Sequence, residues 1–394
     1  MAKPPTRYLT KPGDSPLWAS EPFRLFFPLG IVAAVFGLAL WPLHYAGWWP
    51  LYPALQHPRI LIFGFGAAFV FGFLGTAWPR FLEAEALRAW EIALLAVGWL
   101  ATQMVYASGN IAAGDLVAGI TCLYFLSLLG RRLLGERRDT PPPGFALAFG
   151  AVLLGTSTLF AWAAGWGNHS PELSRFLRLT GYQGFLLLPI LGVGSYLFAR
   201  FFQVPGKPPA FAKAKHRGPV VWAAAVLVLL SFVVEAWLSV RWGNALRLAS
   251  FILWGWGALP GIWTARAPGT RPWALRFGLV LMGSAFLCRA IWPTPAFAFE
   301  HLLFLGGFSQ IMLLTGERVI LGHCDDASKI PPKSKAWRWI VWLMVLTAAT
   351  RASADLMPTT RVSHHIYAAI TLILILGIWA ALHAKRIGRT SPED

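Results

Sequence analysis

The chain has 394 residues, of which 56% are hydrophobic and only 13% charged, with a formal net charge of +17 and a mean hydropathy of +0.56. A soluble domain covers its surface with about a quarter charged residues, so this composition excludes one large soluble core and points to lipid as the solvent. The positive charge does not mark a partner nucleic acid, because no stretch between the apolar runs is long enough to fold into a basic soluble surface.

Runs long enough to cross a bilayer, about 20 residues each, recur along the whole chain. In order, spans are expected near 25–45, 58–79, 90–108, 112–130, 144–165 and 181–203, then 219–240, 247–264, 274–292, 298–321, 336–356 and 363–384. The fold class is therefore an all-α polytopic membrane helix bundle of about twelve transmembrane helices in one domain, 25–384. A tail at 1–24 and another at 385–394 flank it. The polar leader of about twenty residues reads as preceding a retained first helix, since a secretory signal begins its apolar run early and ends in a small-residue cleavage site. The longer connections fall at 131–143, 166–180, 204–218 and 322–335. The Pro- and Lys-rich stretches from Gly206 to Arg217 and from Lys329 to Lys335 read as flexible linkers. Two six-helix halves joined at 204–218 are one possible organisation, although no internal sequence repeat is visible.

Alternate connections sort the charges. Arg59, Arg175, Arg178, Arg241, Arg247, Arg289, Arg351 and Arg361 are the only eight of the 34 Lys and Arg on one side. The basic side is then cytoplasmic and holds both termini. The 21 tryptophans suit the membrane interface, where the ring is buried and its N–H stays wet. Three scattered cysteines (Cys122, Cys288, Cys324) make no disulfide framework. The absence of Cys-x-x-Cys-His argues against covalent c-type haem, and the absence of a Walker A loop argues against an ATP-driven pump. Glycines inside spans (Gly64, Gly66, Gly72, Gly75, Gly192, Gly194, Gly306, Gly307) let helices approach closely.

Ionisable groups at membrane depth are costly and mark function by default. His44, His57, His301, His364 and His365 fall at the outer ends of four spans, His169 in an outer loop, and His216, His323 and His383 on the cytoplasmic side. Imidazole is the common ligand of haem iron and copper, so the outer five form a candidate constellation. His301 and His323 cannot share it, because 22 residues of helix separate them by about 33 Å. For His169, His216 and His383 a plain interfacial role is expected. Arg289 and Arg361 are candidates for haem propionates, with interfacial snorkelling the alternative. Asp355 and Glu235 are read as neutralising Arg351 and Arg241.

Three stretches resemble the NnrS family. They are Glu21-Pro22-Phe23-Arg24-Leu25-Phe26-Phe27; His57 with Phe63-Gly64-Phe65 and Gly72-Phe73-Leu74-Gly75-Thr76-Ala77-Trp78-Pro79; and His301-Leu302-Leu303, Gly306-Gly307-Phe308, Thr315, Arg318 and Leu321-Gly322-His323. Gln183-Gly184-Phe185-Leu186-Leu187, Gly192-Val193-Gly194 and Arg200-Phe201 resemble its longer members. The resemblance implies a protein of the bacterial inner membrane associated with haem and copper and with nitric oxide. The expected cofactor is a non-covalent haem b, with two of His57, His301 and His364 or His365 as axial ligands and His44 nearby. A gaseous ligand, an electron donor and a haem-dependent oxidoreductase activity are the matching expectations. Where the family carries a second histidine and Glu-Met after the first, this chain has Arg59, Ile60 and Leu61, and after the last histidine it has Cys324-Asp325-Asp326. Metal ligation by His57, His301, His365 or His323 is implied by the same resemblance. Arg318 and His323 are expected in a separate inner site, with the helix ending at Gly322 and His323 folding back toward Arg318 or Glu317. Two readings without a cofactor remain: a secondary transporter, and an assembly factor of a respiratory complex.

Overall fold

The computed structural model describes residues 16–202, 217–265, 267, 269–324 and 332–389. The basic tail before residue 16, His216, Asp325 and Asp326 lie outside the described residues, as do 206–216 of the first linker and 329–331 of the second. One long helix answers each predicted span: α1 (Pro22–Tyr45), α2 (Gln56–Leu82), α3 (Ala89–Ala107), α4 (Ile111–Glu136), α5 (Phe145–Ala163), α6 (Pro171–Phe202), α7 (Gly218–Leu238), α8 (Val240–Gly257), α9 (Thr270–Ile291), α10 (Ala296–Cys324), α11 (Lys335–Leu356) and α12 (Arg361–Ile387). Among the described residues there is no strand. Ten of these helices are long and apolar enough to cross a membrane. The other two, α8 and α11, carry Arg241, Asn244 and Arg247, and Arg338, Arg351 and Asp355, which lower their hydropathy. The chain is a multi-pass membrane protein.

Two helices start well before their expected positions, α6 at Pro171 and not near 181, and α8 seven residues early, the second with a clear physical cause. Helix α8 begins at Val240, not near 247, because the Ser239 hydroxyl caps it by accepting from the Trp242 N–H (3.4 Å). Its first turns looked like a loop because Asn244 and Arg247 are polar, yet both are buried against partners on neighbouring helices.

Packing repeats every four helices. Helix α1 packs on α2 and α12, α5 on α6 and α4, and α9 on α10 and α8, while α3–α4, α7–α8 and α11–α12 form hairpins. Helices α2, α6 and α10 run through the middle, where Phe69, Leu186 and Ile311 line one cavity. The unit is thus four helices taken three times, and not two halves of six. Close approach is set by glycine where backbones touch: a Cβ on Gly144 at the start of α5 would run into the Gly192 carbonyl of α6, and the reverse also holds.

Four tryptophans depart from the interfacial expectation, while others, such as Trp48, Trp242 and Trp256, are exposed. Trp78, Trp99, Trp254 and Trp379 are buried, and each donates its indole N–H to a carbonyl on another helix: Leu129 (3.0 Å), Gly64 (3.0 Å), Leu191 (2.9 Å) and Leu313 (3.0 Å). A buried N–H in lipid has no water to fall back on, so it ties one helix to the next.

Each central helix carries a wide, π-helical stretch near the same end: Ile60–Gly66 in α2, Leu179–Gly184 in α6 and Leu302–Ser309 in α10. Such turns re-aim side chains and often accompany functional sites. They begin just after His57, immediately after Arg178, and immediately after His301. At the opposite end Arg24 Nη1 donates to the carbonyls of Ile387 (2.9 Å) and Arg389 (2.5 Å), so the first and last helices close there.

Candidate functional site at the histidine end

Three of the five candidate histidines face common ground. His57 Nδ1 lies 3.0 Å from the Gly37 carbonyl of α1, and His301 Nδ1 lies 2.7 Å from the Phe297 carbonyl one turn earlier. A carbonyl only accepts, so each Nδ1 carries the proton and each Nε2 keeps its lone pair. His365 Nδ1 pairs with the Tyr45 hydroxyl (2.9 Å), and its Nε2 is buried without a partner. Trp41 stands between two of them, with its ring centroid 6.1 Å from that of His57 and 5.2 Å from that of His365. His301 interacts electrostatically with both His57 and His365, and all three with Arg351. Fixing one ring nitrogen on a protein oxygen is how a ligating imidazole is oriented.

The other two turn aside. His44 points into its own loop, with Nδ1 3.1 Å from the Trp49 carbonyl, and its ring meets Tyr52. His364 lies against α11, where Nδ1 is 2.7 Å from the Ser353 hydroxyl. Arg361 is exposed beside this hairpin, and Arg351 pairs with Asp355 (3.0 Å) as read from the sequence. Glu235 departs from that reading: it pairs with Arg247 (2.9 Å) and not with Arg241.

Two closed ion-pair networks flank the histidines. Arg59 of α2 grips Asp115 of α4 through Nε (2.7 Å) and Nη2 (3.1 Å), contacts the Tyr182 hydroxyl of α6, and lies 3.5 Å above the Trp162 ring. Tyr106 adds a hydrogen bond to Asp115 (2.8 Å). On the far side of α6, Arg247 binds Glu235, Ser231 (3.0 Å) and Gln183 (3.0 Å), while Asn244 donates to Glu235 (2.8 Å). Beside the second network stand Arg178, Arg289 and Glu300, which interact electrostatically but form no ion pair within 4.0 Å. Arg289 Nη1 is buried with no hydrogen-bond partner.

The tail end is closed differently from the expectation. Helix α10 does not stop at Gly322 but runs to Cys324, and His323 does not fold back on Arg318 or Glu317. It meets Glu21 through Nδ1 (2.7 Å), and Glu21 also pairs with Arg24 (3.1 Å) and Arg80 (2.5 Å). Glu317 instead takes the Arg271 guanidinium at two points (2.8 and 3.1 Å), with His383 Nε2 at 3.8 Å. His383, expected to be interfacial, is 1% exposed and packs on Trp379. Arg318 faces Arg200, Arg271 and Glu317. The physical reason is helix continuity: a helical His323 projects toward α1 and α2, where a carboxylate already waits. Glu21 lies outside the spans. Burial alone would raise its pKa, but the His323 hydrogen bond and charge, with Arg80 and Arg24, outweigh that and hold it below the usual carboxylate range.

Residues 16–390, nearly the whole chain, match the model of the NnrS family, described as NnrS protein. The chain belongs to the NnrS family. No curated protein matches it. Within this NnrS-family chain two of the three recognised blocks fall on central helices. The first opens α1 at Glu21–Arg24, the second is the central helix α2, and the third is the central helix α10. Arg59, which stands where the family's second histidine is expected, is held by Asp115 and Tyr182 and is not free to act as anything else. Among the described residues no group of three or more His, Cys, Asp or Glu is arranged to hold a metal ion. A haem iron asks for only one or two imidazoles.

Sequence reading missed Arg178, Glu300, Trp41 and the Tyr106–Asp115 pair as parts of this end. A signal for Arg178 was present: it stands six residues before Gly184-Phe185, the spacing of His301 to Gly307-Phe308.

Proposed function

We propose that the protein binds one non-covalent b-type haem at its histidine end and uses it to bind, sense or process nitric oxide in a bacterial inner membrane. The observation that carries this reading is the shared posture of His57, His301 and His365. Each fixes Nδ1 on a protein oxygen, and His57 and His301 thereby keep an Nε2 lone pair for a ligand. Two of these three would hold the haem iron, with His365 favoured over His364 because His364 is turned onto Ser353. Bound there, haem would supply an iron that takes nitric oxide or an electron. Gly37 and Phe297 orient the rings through their carbonyls, and Trp41 fills the space between His57 and His365. Arg361, Arg351 and Arg289 are the cations at this end that suit the propionates.

The transporter reading loses ground on a specific feature. The cavity between α1, α2, α6 and α10 is lined by Phe, Leu, Val and Ile side chains, with Thr315 its one hydroxyl. A transported polar solute needs convergent polar groups near mid-membrane.

The test is absorbance of the purified protein from haem-sufficient cells, followed by acid–acetone extraction. A Soret band that extraction removes, at about one haem per chain, is the expected result because no thioether attachment motif exists. A colourless protein, or pigment that resists extraction, overturns the proposal.

A further inference from the structure

We infer that Arg178, Arg289 and Glu300 form a seat for one monovalent anionic group, a carboxylate or small oxyanion, where α6, α9 and α10 meet. The argument is charge balance in a place that lipid and protein enclose. At the histidine end Arg59 is matched by Asp115, Arg247 by Glu235 and Arg351 by Asp355, each within ion-pair distance. Arg178 and Arg289 are left with Glu300 alone, two cations against one anion, a surplus of one positive charge. Glu300 interacts electrostatically with both but joins neither within 4.0 Å. Arg289 is only 8% exposed, and its Nη1 is buried without a partner.

An unmatched buried guanidinium is destabilising, and its partners elsewhere in this molecule show how it is normally satisfied. A planar monoanion between two guanidinium groups would take the orphaned N–H, match the surplus charge and receive forked hydrogen bonds. The neighbouring Arg247 is not available for this role, since its guanidinium already donates to Glu235, Ser231, Gln183 and Asn244. Glu300 limits the seat to a single negative charge. Since Glu300 precedes His301, the seat adjoins the histidine face. It can hold either a carboxylate of a haem bound there or a free oxyanion from solution. The inference does not depend on haem being present.

Isothermal titration with sodium formate and sodium nitrate, at constant ionic strength, tests it on the detergent-solubilised full chain, both haem-free and haem-loaded. The haem-free protein should bind one formate or nitrate saturably. Arg289→Gln and Arg178→Gln should each weaken that binding at least about tenfold, a loss in keeping with a charged hydrogen bond. Arg241→Gln, on an exposed arginine of the same end, should leave it unchanged. Arg289→Lys keeps the charge if the glutamine variant fails to fold, and should bind more weakly than wild type but measurably. Binding lost on haem loading identifies a haem carboxylate as the occupant, and binding that persists identifies a free oxyanion. No saturable binding in the haem-free protein, or equal weakening by Arg241→Gln, overturns the inference. A chain that never takes up haem but still binds formate would sink the haem reading alone.

Discussion

The two ends of the bundle use the same residue types to opposite effect. At the tail end Glu21 is surrounded by Arg24, Arg80 and His323, Glu317 by Arg271 and His383, and Glu91 by Arg131 and Arg132. Each of these carboxylates is met by at least two basic groups, and the clusters tie α1 to α2, α10 and α12, α9 to α10, and α3 to α4. At the histidine end, between two equally closed networks, His57, His301 and His365 turn one nitrogen to the protein and hold the other back, and Arg289 keeps an orphaned N–H. A histidine in a satisfied cluster holds helices together. A histidine half-satisfied beside an unbalanced arginine keeps a nitrogen for the ligand proposed above.

The comparison predicts which substitutions cost a ligand and which cost stability. The largest effect is expected from His301→Ala, which should abolish most of the haem absorbance in protein that still folds. His323→Ala should leave the pigment in place and lower stability by about 1–3 kcal/mol, the cost of leaving polar partners unsatisfied. Difference spectra with thermal unfolding of the two variants decide it. Equal spectral loss in both would erase the distinction between the ends.

Next comes the closed network beside the histidines. Asp115→Ala strips Arg59 of its carboxylate in a buried setting, where both side chains are under 10% exposed. A loss of about 3–5 kcal/mol is expected, read as a shift of the denaturation midpoint in detergent. A shift no larger than that of an exposed control such as Glu85→Ala would mean that this network is dispensable.

A smaller effect, about 1–3 kcal/mol, is expected from Gly192→Ala. The added methyl meets the Gly144 carbonyl, which is backbone and yields only if α5 and α6 part. Since neither histidine helix is involved, haem content per folded chain should not change. A stability equal to wild type would show that the two helices separate freely.

The smallest effect is a pH dependence at the tail end. The Glu21 carboxyl is held below its ordinary pKa, so its contribution is fully present above the ordinary value and is lost as pH falls through the lowered one. Thermal stability should therefore decline below about pH 4, and Glu21→Gln should be less stable at neutral pH with a flatter acid limb. An acid limb identical in the two proteins would remove Glu21 from this role.

Much of the fold was legible because lipid imposes it residue by residue. A run of about twenty apolar residues must be helical when no water can satisfy its backbone, and all twelve expected runs are helices. The misplaced start of α8 shows the limit. Hydropathy counts Asn244 and Arg247 as polar wherever they stand, and only Glu235, on the preceding helix, makes them buried. The candidate histidines were legible by type and by end, but His44 and His364 could not be told from His57, His301 and His365. Their difference is the direction of a ring, set by Trp49 and Ser353 in one case and by Gly37, Phe297 and Tyr45 in the other.

What the sequence determined by itself is the solvent, the number of helices and which histidines lie at which end, since each follows from local composition and from helix length. Which carboxylate answers which cation was decided only by tertiary structure. Glu21 and His323 are 302 positions apart in the sequence, and Arg59 finds Asp115 on α4, whose nearness to α2 hydropathy does not give. The same is true of the surplus charge at Arg178 and Arg289. It exists because the packing of α6, α9 and α10 gathers two arginines around one glutamate, and strong local rules say nothing about the sum of charges brought together from three distant helices.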